Sequence, residues 1–251
     1  LKANLFNGYP YISYAVSSVI FLFLISVPIL TMRILAEERK QKTDQLILTA
    51  PIGIGQIVMG KFLALLTIFA VATAVTCIYP FILMNFGTVP LGESYVAILG
   101  FFLYGAACIA IGIFISSLTE STVIAAVLTF AVLFITYVMS GLCNLISQSG
   151  NLLTKFLGCF DLVTRFDNML NGTLDVSAVV YFISIIAVML FLTTQSIQKR
   201  RYSVSVKSFK FGAYSSGLIV MGIAVTVLIN MVVGNLPDRI KKIDVTSEKL
   251  Y

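Results

Sequence analysis

Apolar residues in this chain come in long unbroken runs, not in the alternation of a half-buried strand. Six runs stand out, at residues 11–35, 62–86, 95–117, 122–146, 178–197 and 214–233. A helix needs about 20 mostly apolar residues to cross the hydrocarbon layer of a bilayer. Lipid offers no partner to an unpaired backbone group, so only helices or closed barrels span it, and runs without period-two alternation exclude a barrel. The pattern predicts an all-α integral membrane protein with six transmembrane helices. Pro28 and Pro80 fall inside these runs and should kink or break them locally.

Composition sharpens this reading. Of 251 residues, 59% are hydrophobic and 11% charged, against about 25% charged in a soluble domain. The charges lie between the runs, with Arg33 at the end of the first; a charge at mid-bilayer costs about 3 kcal/mol. Lys and Arg concentrate between the first two runs (Arg33, Arg39, Lys40, Lys42, Lys61) and between the last two (Lys199, Arg200, Arg201, Lys207, Lys210). Both segments are therefore cytoplasmic by the positive-inside rule, and one topology satisfies both. The same topology puts the basic tail after Gly234 outside, the one misfit. It also starts Leu1 outside. With no Met at the start and a polar stretch at the end, it predicts a fragment of a longer chain, with at least one span upstream.

There is no histidine, and Cys77, Cys108, Cys143 and Cys159 form no C-x-x-C pair, so neither a metal site nor a disulfide framework is indicated. The cysteines read as small packing residues. In the third run Gly105, Cys108, Gly112 and Ser116 lie close to one helical face and read as helix-packing residues, because small side chains let helices approach in lipid. The basic segment 198–210 reads as a topology signal and an anionic-lipid contact, not as a nucleic-acid site.

The first cytoplasmic segment is too patterned to be a plain linker. The cluster "EERK" extends the first helix beyond the membrane. Thr43 or Asp44 can cap a new helix; Leu46, Ile47 and Ala50 line one of its faces, and Pro51 ends it. "GQIVMGKF" then matches the G-x-x-x-x-G-K of a nucleotide-binding loop. Phe62 stands where a hydroxyl should hold magnesium, however, and the stretch runs from a Pro/Gly loop into a span. Gly60 reads instead as a close-approach residue and Lys61 as one that snorkels to headgroups.

"LTMRILAEERKQKTDQLILTAPIGIGQIVMGKFLA" resembles the membrane subunits of ABC type-2 transporters, in particular permeases of the gliding-motility type. These carry a pattern near M-R-x-L-A-E-E-R-x-x-G-T, then L-L-T-x-P-I and I-V-x-G-K-F. This chain has Lys42 where the family often has Gly, and Asp44-Gln45 where a Glu is common nearby. "GAACIAIGIFISSLTESTVIAA" and "RFDNMLNGTLDVSAVVYF" are similar to later signatures, so the resemblance spans residues 1 to about 202. It implies a permease domain over 1–202 holding five of the family's six helices, its first missing. Residues 203–251 would then be a linker, an extra transmembrane helix and the start of an extracytoplasmic domain. "NLPDRIKKIDVTSEKLY" resembles the start of the auxiliary protein that accompanies gliding-type permeases, implying a natural fusion.

The resemblance implies a partner permease half, as homo- or heterodimer, and cytoplasmic ABC ATPase subunits that carry ATP and Mg; this chain would bind no cofactor and catalyse nothing. Residues 44–50, with Asp44, Leu46, Ile47 and Ala50, would be the helix coupling to the ATPase. Glu37, Glu38, Arg39 and Thr43 would lie at the ATPase-facing boundary. The location implied is the bacterial inner membrane, multi-pass. Three other classes remain. An ion-coupled transporter usually carries ionisable residues inside its spans, and none is found here. A membrane enzyme would need a cluster of reactive groups. A non-transporting anchor presenting an outer domain stays open. Polar residues within the runs, such as Thr67, Thr73, Thr76, Thr129 and Thr136, read as helix–helix hydrogen bonds.

Overall fold

The helices follow from the apolar runs, since a backbone in lipid must satisfy its own hydrogen bonds. The computed structural model describes residues 12–43, 52–85, 91–146, 162–170, 173–201, 221–234 and 242–244. In chain order the elements are α1 (Ile12–Thr31), α2 (Arg33–Lys40), α3 (Ile54–Met84), α4 (Leu91–Leu118), α5 (Thr122–Ile146), α6 (Leu162–Leu170), β1 (Thr173–Asp175), α7 (Val176–Arg201), α8 (Met221–Gly234) and β2 (Lys242–Asp244). Four stretches are long and apolar enough to cross a membrane: Ile20–Lys40, Ile54–Met84, Leu91–Leu118 and Val176–Lys199. Thr122–Val138 and Met221–Gly234 are shorter apolar helical stretches.

α4 is the central helix, packed on α1, α2, α3, α5, α6 and α7. Its small residues explain why. A Cβ at Gly105 would overlap the Phe69 ring of α3, and one at Gly112 would overlap Thr31 of α1. At Gly100 it would come 3.0 Å from Met169 Cβ of α6. Around this helix two apolar clusters form. One joins Phe23, Phe101, Tyr104, Phe166 and Phe182, with Phe23 and Phe101 rings 5.0 Å apart and Tyr104 and Phe166 5.3 Å apart. The other, toward the charged end, joins Leu35, Ile54, Val58, Phe62, Leu65, Ile109 and Ile113. The outer surface is inverted relative to a water-soluble protein: Val75 on α3 is 66% exposed and Val123 on α5 is 68% exposed, the surface a bilayer would cover.

Several expectations change. Pro28 and Pro80 lie inside continuous helices. The break after the first span falls instead at Met32, four residues past Pro28. α3 begins at Ile54, so "GQIVMGKF" is helical, and its 31 residues run about 46 Å, longer than the roughly 30 Å hydrocarbon layer. Gly60 has nothing within 4 Å of a built Cβ and is no close-approach site, whereas Gly55 faces Thr194 of α7 at 4.0 Å. The threonines bond to carbonyls of their own helices, not to neighbouring helices: Thr67 to Leu63, Thr73 to Phe69, Thr76 to Ala72 and Thr129 to Ala125, all at i−4, and Thr136 to Leu133 at i−3.

Between α5 and α7, where the sequence shows no long apolar run, lies α6. Its Leu162, Val163, Phe166, Met169 and Leu170 are buried at helical spacing. α7 starts with Asp175, whose Oδ1 accepts the Ser177 N–H at 2.9 Å, an N-cap. α8 runs antiparallel to α7: Gly222 faces Phe191, while Asn230 Nδ2 donates to Ser184 Oγ at 2.8 Å. β2 then pairs antiparallel with β1, Thr173 opposite Asp244 and Asp175 opposite Lys242. Residues 242–244 thus lie at the end of the bundle that holds α6.

Candidate functional site at the charged end of the bundle

α2, the start of α3 and the turn between α4 and α5 meet at the opposite end. Three polar ties hold them. The first is Ser116, on the last turn of α4. Its Oγ accepts the N–H groups of Leu35 (3.2 Å) and Ala36 (3.1 Å) and donates to the Met32 carbonyl at 3.2 Å. The N–H groups of a first helical turn lack intrahelical acceptors, so a hydroxyl some 80 residues away in sequence caps α2. A side chain inserted into a helical ladder is a recognised cause of a kink, which accounts for the break at Met32. One turn back, Thr31 Oγ1 donates to its own Val27 carbonyl at 2.8 Å, leaving Thr31 free to lie flat on Gly112.

The second tie is Lys61. Its Nζ pairs with Glu38 Oε2 and donates to the Ile34 carbonyl at 2.9 Å. Lys61 does not snorkel to headgroups; it fastens the start of α3 to α2. The third is Arg39, whose Nη1 donates to the Thr119 carbonyl at 2.8 Å, in the α4–α5 turn. Arg39 Nη2 and Thr119 Oγ1 are buried there with no partner among the described residues.

α2 ends in a defined stop. Lys42 N–H donates to Arg39 O and Thr43 N–H to Glu38 O, both at 3.0 Å, the two bonds of a Schellman motif. Lys42 has φ 57°, the left-handed conformation that favours glycine. This accounts for the glycine that the resembled family often carries there. Thr43 Oγ1 also donates to the Glu38 carbonyl at 3.1 Å, so within the described residues its hydroxyl finishes α2.

The opposite face of α2 lines an open cleft of about 370 Å³ with Arg33, Glu37, Lys40, Gln41 and Thr122. Gln41 Nε2 donates to Glu37 Oε1 at 3.4 Å. Of the expected site residues, Glu37, Glu38, Arg39 and Thr43 thus gather on α2 and its stop. Asp44, Leu46, Ile47 and Ala50 lie outside the described residues. Gly105, Gly112 and Ser116 contact α3, α1 and α2 in turn, and Cys108 is buried in the aromatic cluster. The partners of Ser116, Lys61 and Arg39 carry no sequence signal, being set by helix packing. α6 did carry one, the i, i+4, i+7, i+8 spacing of Leu162, Phe166, Met169 and Leu170.

Among the described residues no group of three or more His, Cys, Asp or Glu side chains could hold a metal. The arrangement is a short charged helix tied to α3, to α4 and to the α4–α5 turn. No curated protein and no solved structure matches the chain. Residues 3–194, well over half of the chain, match the family described as ABC-2 family transporter protein, and the chain, with its apolar helices, belongs to that family of membrane transport proteins.

Proposed function

We propose that this chain is the permease subunit of an ABC type-2 exporter. Its braced charged end passes force between a separate cytoplasmic ATPase and the membrane helices. The observation that carries this reading is α2 itself: it is capped by Ser116 of α4, paired to Lys61 of α3 and joined through Arg39 to the α4–α5 turn. A push on the segment that follows α2 is therefore delivered to the central helix without slack. In this reading residues 44–50 are the ATPase-coupling helix, and Glu37, Glu38, Arg39 and Thr43 hold it at the membrane boundary. ATP and Mg sit on the partner, and a second permease half completes the path. The gliding-type subfamily, with an auxiliary outer domain beginning after α8, is the finer form of the proposal. The β1–β2 pairing supports it, because it brings that tail to the α6 end.

The test is co-purification from bacterial membranes with the ATPase subunit encoded beside it. An equimolar, ATP-hydrolysing complex is expected. The double variant Leu46→Asp, Ile47→Asp should insert normally yet lose ATPase binding, since two buried charges at a docking face cost several kcal/mol. Unchanged binding by that variant would remove the coupling-helix assignment. A well-folded chain that captures no ATPase would shift the function to a membrane anchor.

A further inference from the structure

The cleft beside α2 plays no part in the three ties and has the features of a lipid-headgroup site. Arg33, Glu37, Lys40 and Gln41 line it from one face of α2, at i, i+4, i+7 and i+8, and Thr122 closes it from the first turn of α5. Arg33 and Lys40 have no ion-pair partner among the described residues, and both are exposed. Glu37, the acidic group in the lining, accepts from Gln41 and keeps its charge, so Arg33 and Lys40 leave the lining one positive charge in excess; Glu120, in the neighbouring turn, does not line the cleft. α5 is 25 residues long, and the N–H groups of its first turn, at Thr122, Val123 and Ile124, point out of the helix start without intrahelical acceptors. That turn carries positive potential and suits a phosphate. The cleft volume of about 370 Å³ lies within the roughly 300–1,000 Å³ of small-molecule sites.

What selects the occupant is the apolar surface adjoining these charges. One turn before Arg33, Ile29 is exposed, and immediately after Thr122 so are Val123 and Ile124. A ligand seated here meets cations and the first-turn N–H groups of α5 at one end and lipid-facing side chains at the other. We propose that this cleft binds the phosphate headgroup of an anionic phospholipid, with its acyl chains along the exposed faces of α1 and α5. The site rests on the chain lying in a bilayer, and stands or falls separately from ATPase coupling.

The experiment titrates phosphatidylglycerol into the chain in neutral detergent micelles, following retained lipid by native mass spectrometry and thermal unfolding. Phosphatidylcholine and inorganic phosphate are titrated in parallel. One retained phosphatidylglycerol and a raised unfolding temperature are expected, with neither effect from phosphatidylcholine. Arg33→Gln with Lys40→Gln should weaken binding about 30-fold, from the loss of two cations near the surface. The charge-keeping pair Arg33→Lys, Lys40→Arg should retain it and shows that folding survives changes at both positions. Equal phosphatidylglycerol binding by the Gln pair would overturn the proposal. So would full competition by inorganic phosphate, which would make the site one for a free anion. If the Gln pair keeps its lipid but loses the ATPase, the cleft is a protein contact and the proposal also fails.

Discussion

Lys42 is a single residue whose cost can be measured. It occupies the left-handed position of a helix stop, where a side chain is penalised by about 1 kcal/mol relative to glycine. Lys42→Gly should therefore stabilise the chain by about that amount, read as a higher unfolding temperature in detergent. Ser116 makes the opposite case. It is fully buried and serves three backbone groups at once. Ser116→Ala leaves those groups without their partner, at about 1–3 kcal/mol, and should lower the unfolding temperature and speed amide exchange at Leu35 and Ala36. An unchanged exchange rate at both would mean that α2 is not held by this hydroxyl. Neither property was legible beforehand. Lys42 stood out as a departure from the family's glycine, but only the backbone angle explains the departure. Ser116 was read as a small packing residue, and its three bonds depend on where α2 lies.

Glycines separate by the element they sit on. Gly112 lies under Thr31 at the α1–α4 crossing, while Gly60 faces open space on α3. Gly112→Val should force the helices apart, at about 1–3 kcal/mol for overpacking. Gly60→Ala should stabilise α3 by about 1 kcal/mol, as expected in an exposed helix interior. Thermal unfolding of the two variants gives opposite signs if the crossing is as described. The hydropathy pattern located the long helices well because burial in lipid is a one-dimensional property of composition. It misjudged their ends. α3 begins eight residues before the apolar run at Phe62, since a helix needs only good hydrogen-bonding geometry to continue into water. α6 left no apolar run of its own because nine residues are too few to register as a span.

At the level of the molecule, α4 is the shaft around which the rest is arranged, touching α6 near one end and α2 at the other. The antiparallel α7–α8 pair and the β1–β2 ladder put residues 242–244 at the α6 end. A membrane-impermeant thiol reagent should therefore label single cysteines placed at Lys242 and Asp244 from outside the cell, and a cysteine at Lys40 only after permeabilisation. Labelling of all three from one side would contradict the arrangement.

Membrane residence, helical class, the approximate positions of the long helices and the family resemblance were readable from residue order. Each rests on local composition or on motifs contiguous in the chain, and lipid punishes any other arrangement of so many apolar residues. The junction was not. That Lys61 meets Glu38, that Arg39 reaches Thr119 and that Ser116 caps a helix 80 residues upstream follow from the rotation and depth at which α1, α3 and α4 cross. Those quantities are set by side-chain shape at Gly105 against Phe69 and Gly112 against Thr31, contacts between positions far apart in the chain that no linear pattern encodes.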